Sequence, residues 1–198
     1  MKFDIAVIGS GPGGYVAAIR AAQLGKKVAI IEKADLGGVC LNWGCIPTKA
    51  LLKSAQVFDY INHAADYGIT VKDHKVDFDG MIKRSRGVAD GMSKGIAFLM
   101  KKNKIEVIKG SAKLAGKGKI SVTGDDGKAQ IIEADHTILA TGSRSRELPN
   151  IKMDGKFVVG YREAMVLPKQ PKELIIIGSG AIGMEFAYFY SSIGTKVT

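Results

Sequence analysis

The chain has 198 residues, 46% of them hydrophobic and 24% charged, with a formal net charge of +10 and only two cysteines. This length allows one large domain, or one domain with part of a second, and the apolar fraction is ordinary for a globular protein. No apolar run approaches the roughly twenty residues that cross a bilayer, no leader precedes the first strand, and the 29 Lys and Arg residues form no dense block, so we expect a soluble, cytoplasmic protein that binds neither membrane nor nucleic acid.

The first 24 residues predict a nucleotide-binding unit. Residues 2–8 have the composition of a strand buried in a parallel sheet, and residues 15–24 predict a helix. Between them, Gly9 turns the chain tightly, Gly11 lets the backbone approach a pyrophosphate, and Gly14 allows close packing of helix on sheet. The alternative is a glycine-rich turn without a ligand. The loop residues predicted to contact the nucleotide are Gly9, Gly11, Pro12, Gly13 and Gly14.

The second predicted strand, residues 27–31, leads directly into an acidic residue. Glu32 lies eighteen positions beyond Gly14, where a carboxylate can accept hydrogen bonds from ribose hydroxyls. Lys33 follows it. Strand, loop, helix, strand and acid in this order are a stronger signal than the glycines alone.

Residues 37–49 contain both cysteines, Cys40 and Cys45, among three glycines and before Pro47. Two thiols five positions apart in this setting favour a disulfide that opens and closes. The alternatives are a zinc site, a purely structural disulfide and two inert buried cysteines. Zinc would require more ligands, and the three histidines show no ligand spacing. The histidines are His63, His74 and His136.

Two long helices are predicted after the cysteines. Residues 50–65 carry one apolar stripe, so Cys45 lies near a helix start, where negative charge on a thiolate is stabilised. Lys49 adds a cation one turn later, although it could be an ordinary solvated lysine. Residues 77–103 predict the second helix, in which glycines at four-residue spacing could admit close packing of another helix. Those glycines are Gly87, Gly91 and Gly95.

Short strands follow from residue 105, and their pattern predicts a small antiparallel meander made of residues 106–108, 113–115, 119–122 and 129–133. Residues 136–140 then return to a buried strand that ends in Thr141-Gly142-Ser143. A glycine there lets the backbone pass close to a nucleotide, although a plain turn at the strand end would have the same sequence pattern.

The opening pattern recurs near the end of the chain. Residues 174–177 predict a strand, and Gly178, Gly180 and Gly183 form a second fingerprint before a helix that runs to about residue 193. Two copies of the unit imply two dinucleotide sites. Glu185 lies in the first turn of the second helix, where an acid is also tolerated for the helix dipole alone. Because the sequence ends within the next strand, we expect this second unit to be truncated.

Residues 37–47 between two such fingerprints resemble the FAD-dependent pyridine nucleotide-disulfide oxidoreductases. Two sequence motifs are most similar to the branch of this family that oxidises dihydrolipoamide. They are Cys-Leu-Asn-Trp-Gly-Cys-Ile-Pro-Thr-Lys and Gly-Ser-Gly-Ala-Ile-Gly-Met-Glu. The resemblance implies an α/β fold: an FAD-binding, Rossmann-like three-layer domain with a small antiparallel β-meander at residues 1–147, and the truncated start of a Rossmann-like NAD-binding domain at residues 148–198.

The resemblance also assigns roles. Cys40 would exchange with dihydrolipoamide, Cys45 would lie next to the flavin, and Lys49 would pair with Glu185 near flavin and nicotinamide. Ile182 belongs to the NAD loop. The implied cofactor-binding residues are Gly9, Gly11, Pro12, Gly13, Gly14, Glu32, Lys33, Gly38, Val39, Cys40, Lys49, Ala112, Thr141, Gly142 and Ser143 for FAD, with Gly178, Gly180, Ile182, Gly183 and Glu185 for NAD.

The implied reaction passes electrons from dihydrolipoamide through the Cys40–Cys45 disulfide and FAD to NAD⁺, within 2-oxoacid dehydrogenase complexes. The implied partners are the lipoyl domain of an acyltransferase and a second copy in a homodimer. A catalytic histidine and the acid that selects NAD would lie beyond Thr198, so the 198-residue chain alone is expected to be inactive. Alternatives are a reductase of glutathione or a related disulfide, and a catalytically silent piece that binds FAD or a partner.

Overall fold

The computed structural model describes all 198 residues, Met1 to Thr198, and confirms the α/β class. The chain divides into two compact units. The first unit consists of Met1–Asn42 and Asp90–Arg144, and the second of Trp43–Ala89 and Ser145–Thr198. Neither unit is one continuous segment, and the predicted boundary between residues 147 and 148 stays a prediction.

The first unit is built on one six-stranded sheet. Its strands are β1 (Lys2–Ile8), β2 (Val28–Glu32), β3 (Glu106–Lys109), β4 (Ser111–Leu114), β5 (Lys119–Thr123) and β6 (Ala129–Leu139). They are ordered β3-β2-β1-β6-β5-β4, with parallel pairing from β3 to β6 and antiparallel pairing from β6 to β4. In the register of the central strand, Ile5 of β1 lies between Val28 and His136.

The antiparallel meander is confirmed as β4, β5 and β6, but two of its details were predicted wrongly. Residues 106–108 belong to the parallel part of the sheet, where Val107 pairs with Ile30. The segments 129–133 and 136–140 are one strand, β6, whose first part pairs with β5 and whose remainder pairs with β1. No turn residue interrupts β6, and buried Ile132 and Ala134 continue its alternation.

The core of the first unit lies between its parallel strands and its meander. In β2, β5 and β6, alternate residues point to the same side and are buried together, as period-two geometry requires. The helix α1 (Pro12–Gln23) connects β1 to β2. The cluster comprises Phe3, Ala6, Ile8, Ala29, Ile31, Ile108, Ile120, Val122, Ile132 and Ala134.

The second unit packs helices around aromatic side chains. Its helices include α3 (Cys45–Asn62), the short α5 (Tyr161–Ala164) and α6 (Ala181–Ser192). The Tyr190 hydroxyl donates to the Ala164 carbonyl at 2.5 Å, and burial raises the pKa of that hydroxyl. Fully or nearly buried around it are Leu51, Ala55, Met165, Phe186, Phe189 and Ile193.

The predicted strand 174–177 is shorter than expected. The strand β7 (Glu173–Leu174) pairs in parallel with β8 (Lys196–Val197), and beyond it the Ile176 amide donates to the Thr198 carbonyl at 2.8 Å. Ile175 and Ile177 are 75% and 64% exposed. A parallel strand becomes buried when neighbours cover it, and here β8 is its only partner in the sheet.

The helices α2 (Gly38–Trp43) and α4 (Phe78–Lys102) each contribute residues to both units. The helix α4 confirms the prediction for residues 77–103, but no element packs closely on its glycines. A Cβ atom added at Gly87, Gly91 or Gly95 would meet nothing within 4 Å. No helix of the protein combines the length and apolarity needed to cross a membrane.

Candidate nucleotide and redox sites

Two glycines of the first loop are required by the backbone around them. Gly9 has φ +99°, and a Cβ there would lie 2.2 Å from the carbonyl oxygen of Ala140. A Cβ at Gly14 would lie 1.9 Å from the carbonyl oxygen of Gly9. Both distances are far below van der Waals contact, so these positions exclude every larger residue and bring β1, α1 and the end of β6 together.

The other two glycines of the loop leave room for a ligand. A Cβ at Gly11 or Gly13 would meet nothing within 4 Å, although both flank Pro12 at the start of α1. Gly38 approaches the same loop, because a Cβ there would lie 2.7 Å from the Gly11 Cα. The first turn of α1 therefore presents backbone N–H groups and a partial positive charge to open space, which fits the pyrophosphate of a dinucleotide.

Glu32, at the end of β2, is held by the same loop. Its Oε2 accepts hydrogen bonds from the Ser10 hydroxyl at 2.7 Å and the Ser10 amide at 2.9 Å, and its Oε1 accepts one from the Ala34 amide at 3.0 Å. Partial burial opposes ionisation, but these hydrogen bonds outweigh it and hold the pKa of the Glu32 carboxyl below its ordinary value. Oε1 keeps a lone pair that could accept from a ribose hydroxyl.

The lowered pKa predicts how stability responds to pH. Because the carboxylate is favoured in the folded state, its contribution is present above the unfolded pKa and disappears as pH falls through the folded pKa. We expect Glu32→Gln to lower the free energy of unfolding by about 1–2 kcal/mol near neutral pH and by progressively less below about pH 4. Urea unfolding of both proteins between these pH values measures the difference, and a constant difference would contradict the account.

Ser10 is the residue of this site that the sequence analysis missed. It is fully buried, and besides binding Glu32 its hydroxyl oxygen accepts a hydrogen bond from the Gly37 amide at 3.3 Å. It therefore connects the first glycine loop with the segment that leads to the cysteines. Its position between two glycines of the fingerprint gave no signal for this role.

The remaining predicted residues of the first unit lie near the ends of its strands. Thr141, Gly142 and Ser143 follow β6, and Gly142 has φ +69°. The Ala112 side chain is partly buried and packs against the core. Lys33 follows β2, and Val39 on α2 is 38% exposed.

The two cysteines lie on consecutive helices, α2 and α3. Cys40 is on α2 in the first unit and is partly exposed. Cys45 is the first residue of α3, in the second unit, where its thiol is free and exposed. The Asn42 side chain donates to the carbonyls of Leu36 and Gly38 at 2.9 and 3.0 Å, which holds the start of α2. Cys45 therefore lies at the N-terminal end of a helix, the end that carries the partial positive charge of the helix dipole.

The second unit brings Lys49 and Glu185 together. The Lys49 ammonium contacts Glu185 Oε1, although the two residues are 136 positions apart. The lysine side chain is 60% exposed and the glutamate 28%. An open pocket of about 310 Å³ adjoins Lys49. It is lined by Lys49, Leu52, Lys53, Gln56 and Tyr188.

The second glycine loop repeats the geometry of the first. Gly178 has φ +107°, and a Cβ at Gly183 would lie 2.6 Å from the Gly178 carbonyl oxygen. Between them, a Cβ at Gly180 would meet nothing within 4 Å, and Ile182 is 56% exposed. The loop at the start of α6 therefore also fits a pyrophosphate.

No group of three or more His, Cys, Asp or Glu side chains is placed to hold a metal ion. The histidines occupy separate roles instead. The His74 ring bonds the Asn62 side chain at 2.7 Å, and the ring of His63, which directly follows α3, contacts Asp59 on that helix.

Comparisons with known proteins agree with this arrangement. The family model "Pyridine nucleotide-disulphide oxidoreductase" matches residues 3–198. A dihydrolipoyl dehydrogenase of Zymomonas mobilis is 51% identical over 99% of this chain and 42% of its own length. One from Chlorobaculum parvum is 49% identical over the whole chain and 42% of its own length.

A solved structure has the same fold. The HOCl-induced flavoprotein disulfide reductase of Escherichia coli, in its Cu(II) complex, superposes with a TM-score of 0.86 at 28% identity, over the whole of this chain and 42% of that one. The chain thus spans less than half the length of the relatives it matches. With a family match over almost all of its residues, the chain belongs to the pyridine nucleotide-disulphide oxidoreductases.

Proposed function

We propose that this chain provides the FAD site and the redox-active cysteine pair of an enzyme that oxidises dihydrolipoamide to lipoamide and reduces NAD⁺. The observation that carries the proposal is the exposed Cys45 thiol at the start of α3, one turn before Lys49, which contacts Glu185. The support from relatives is their name, dihydrolipoyl dehydrogenase, at about half identity over the whole chain.

The first unit would hold FAD. The start of α1 would bind the pyrophosphate between Gly11 and Gly38, and Glu32 would accept from the ribose. Ser10 keeps that carboxylate ionised and correctly directed. Bound FAD would supply the chemistry that thiols lack, since it accepts an electron pair and delivers it as hydride to a nicotinamide.

The cysteines would perform thiol–disulfide exchange. One substrate thiolate attacks Cys40 Sγ, the Cys40–Cys45 bond breaks, and Cys45 leaves as a thiolate. The second substrate thiolate then attacks the substrate sulfur of the mixed disulfide and releases the Cys40 thiolate. The product is the cyclic disulfide of lipoamide, two protons are released, and both electrons remain in the cysteine pair. The N-terminus of α3 stabilises the Cys45 thiolate in this sequence.

Lys49 and Glu185 would serve the electron transfer to NAD⁺. An ammonium fixed by a carboxylate is a stationary positive charge, which favours developing negative charge beside it. Gly178, Gly180 and Gly183 would receive the NAD⁺ pyrophosphate, with Ile182 in the same loop. The choice of NAD⁺ rests on the named relatives and on Gly183, which some NADP-linked relatives replace with alanine.

The proposal extends to partners that the chain itself does not contain. Dihydrolipoamide would be presented on the lipoyl domain of an acyltransferase in a cytoplasmic 2-oxoacid dehydrogenase complex. The enzyme would be a homodimer, in which a histidine from outside these 198 residues acts as the base. The isolated 198-residue chain would then be inactive.

Steady-state assays of the full-length protein separate this proposal from the alternative disulfide reductases. We expect reduction of NAD⁺ by dihydrolipoamide, and at least about 100-fold lower kcat/KM for glutathione disulfide with NADH or NADPH. A preference for glutathione disulfide would overturn the substrate assignment. Absence of bound flavin would overturn the enzymatic role itself.

A further inference from the structure

Three consecutive residues of α4 contact the segment around Cys45. The Arg84 guanidinium donates to the Ala50 carbonyl at 2.7 Å. Of the next two residues, Ser85 contacts Pro47 and Arg86 contacts Trp43. These contacts lie within the second unit, and the last two involve the residues two positions before and two positions after Cys45.

Ser85 is completely buried and has a hydroxyl for which the proposed chemistry has no use. That hydroxyl donates to the Pro47 carbonyl oxygen at 2.9 Å. Pro47 lies in the first turn of α3. A buried hydrogen bond to that turn opposes fraying of the helix end that carries Cys45, since first-turn backbone is otherwise the least constrained part of a helix.

Arg86 fixes the other side of Cys45. Its guanidinium lies 4.2 Å from the centroid of the Trp43 ring, and the Arg86 Nη1 contacts the Met165 sulfur at 3.8 Å. Arg162, at the start of α5, also lies over Trp43, at 5.3 Å. Two cations therefore hold one indole, and stacking by planar guanidinium groups restricts the ring more than a lysine would.

We infer that Ser85 and Arg86 are positioning residues that hold Pro47 and Trp43 and so set the tendency of Cys45 to form a disulfide with Cys40. The inference rests on the proposed function of the cysteine pair. Disulfide geometry is narrow, so restraining the flanking backbone raises the effective concentration of one thiol at the other. Loss of the Ser85 or the Arg86 contact lowers this effective concentration without removing any group that exchanges with substrate.

The test is the redox equilibrium of the cysteine pair in the full-length protein. In a buffer of oxidised and reduced glutathione, one oxidised glutathione takes two electrons from the pair, forming the protein disulfide and two glutathione thiols. After acid quenching and alkylation, the tryptic peptide 34–49 reports both cysteines, because Lys33 and Lys49 bound it. Mass spectrometry of this peptide gives the equilibrium constant.

We expect Ser85→Ala and Arg86→Gln each to lower the equilibrium constant for disulfide formation by about five-fold, and Ser85→Thr to restore it. Thr195→Val is the matched control, because Thr195 is also buried and its hydroxyl also donates to a proline carbonyl, that of Pro171 at 2.8 Å. We expect Thr195→Val to lower the melting temperature comparably and leave the equilibrium unchanged.

The outcomes separate the two levels of the account. If the unaltered protein forms no Cys40–Cys45 disulfide, the proposed function fails. If it does, and the Ser85 and Arg86 variants match Thr195→Val, the inference is overturned while the proposed function stands. Should Ser85→Ala fail to fold, Arg86→Gln decides the question, because shortening the Arg86 side chain leaves the buried Ser85 side chain in place.

Discussion

Cys45→Ser is expected to abolish the oxidation of dihydrolipoamide in the full-length protein, with a loss of about a thousand-fold or more in kcat. A serine hydroxyl at the start of α3 remains protonated at neutral pH and cannot form the disulfide that stores two electrons. Binding of FAD should be retained, because no part of the first glycine loop changes. The measurement is NAD⁺ reduction alongside flavin absorbance.

Cys40→Ser provides the matched comparison for that prediction. It should be equally inactive toward dihydrolipoamide, since the first sulfur attacked is missing. It keeps Cys45, however, so the free thiol at position 45 should still react with iodoacetamide. If either serine variant turned over within about ten-fold of the unaltered protein, the exchange mechanism would be wrong.

Gly11→Ala is expected to remove FAD binding while leaving the fold intact. Gly11 has φ −66°, which alanine adopts freely, and its Cβ would project into open space beside the start of α1. The space is where the pyrophosphate would lie, so the methyl group should reduce affinity for FAD by about 100-fold or more. Flavin titration of the apoprotein, followed by fluorescence, measures the loss.

Gly14→Ala is the companion variant, and we expect it to destabilise the fold itself. Its Cβ would lie 1.9 Å from the Gly9 carbonyl oxygen, so β1 and α1 must separate. The free energy of unfolding should therefore fall by about 3 kcal/mol or more. Thermal unfolding by circular dichroism distinguishes the two variants. A Gly11→Ala protein with unchanged flavin affinity would show that the open space is not the nucleotide site.

The sequence predicted those parts of the fold that local chemistry determines. β1 was predicted at its observed bounds, because an apolar β-branched run directly before a glycine turn has few other conformations. The two glycine loops could be predicted for the same reason. Gly9 and Gly14 are dictated by backbone crowding, which the fingerprint spacing reflects.

Contacts between distant segments could not be predicted from patterns. Sequence periodicity does not state which strand lies beside which, so residues 106–108 were predicted in the meander although they belong to β3, which pairs with β2. Ser10 and Ser85 are both fully buried, and each acts through one hydroxyl on a partner more than twenty positions away. A serine in isolation carries no signal for such a bond. Lys49 and Glu185 could be paired beforehand only through the family resemblance.

Our central proposal is that Cys45, once reduced, would interact with bound FAD as a thiolate. Anaerobic addition of two electrons per FAD to the full-length protein tests it most directly, with the absorbance recorded beyond the main flavin bands. We predict a new long-wavelength band in the unaltered protein after two electrons have been added per FAD. Cys40→Ser should show this band without added reductant, and Cys45→Ser should not show it at all. A flavin-loaded protein that bleaches with two electrons and shows no such band would contradict the account.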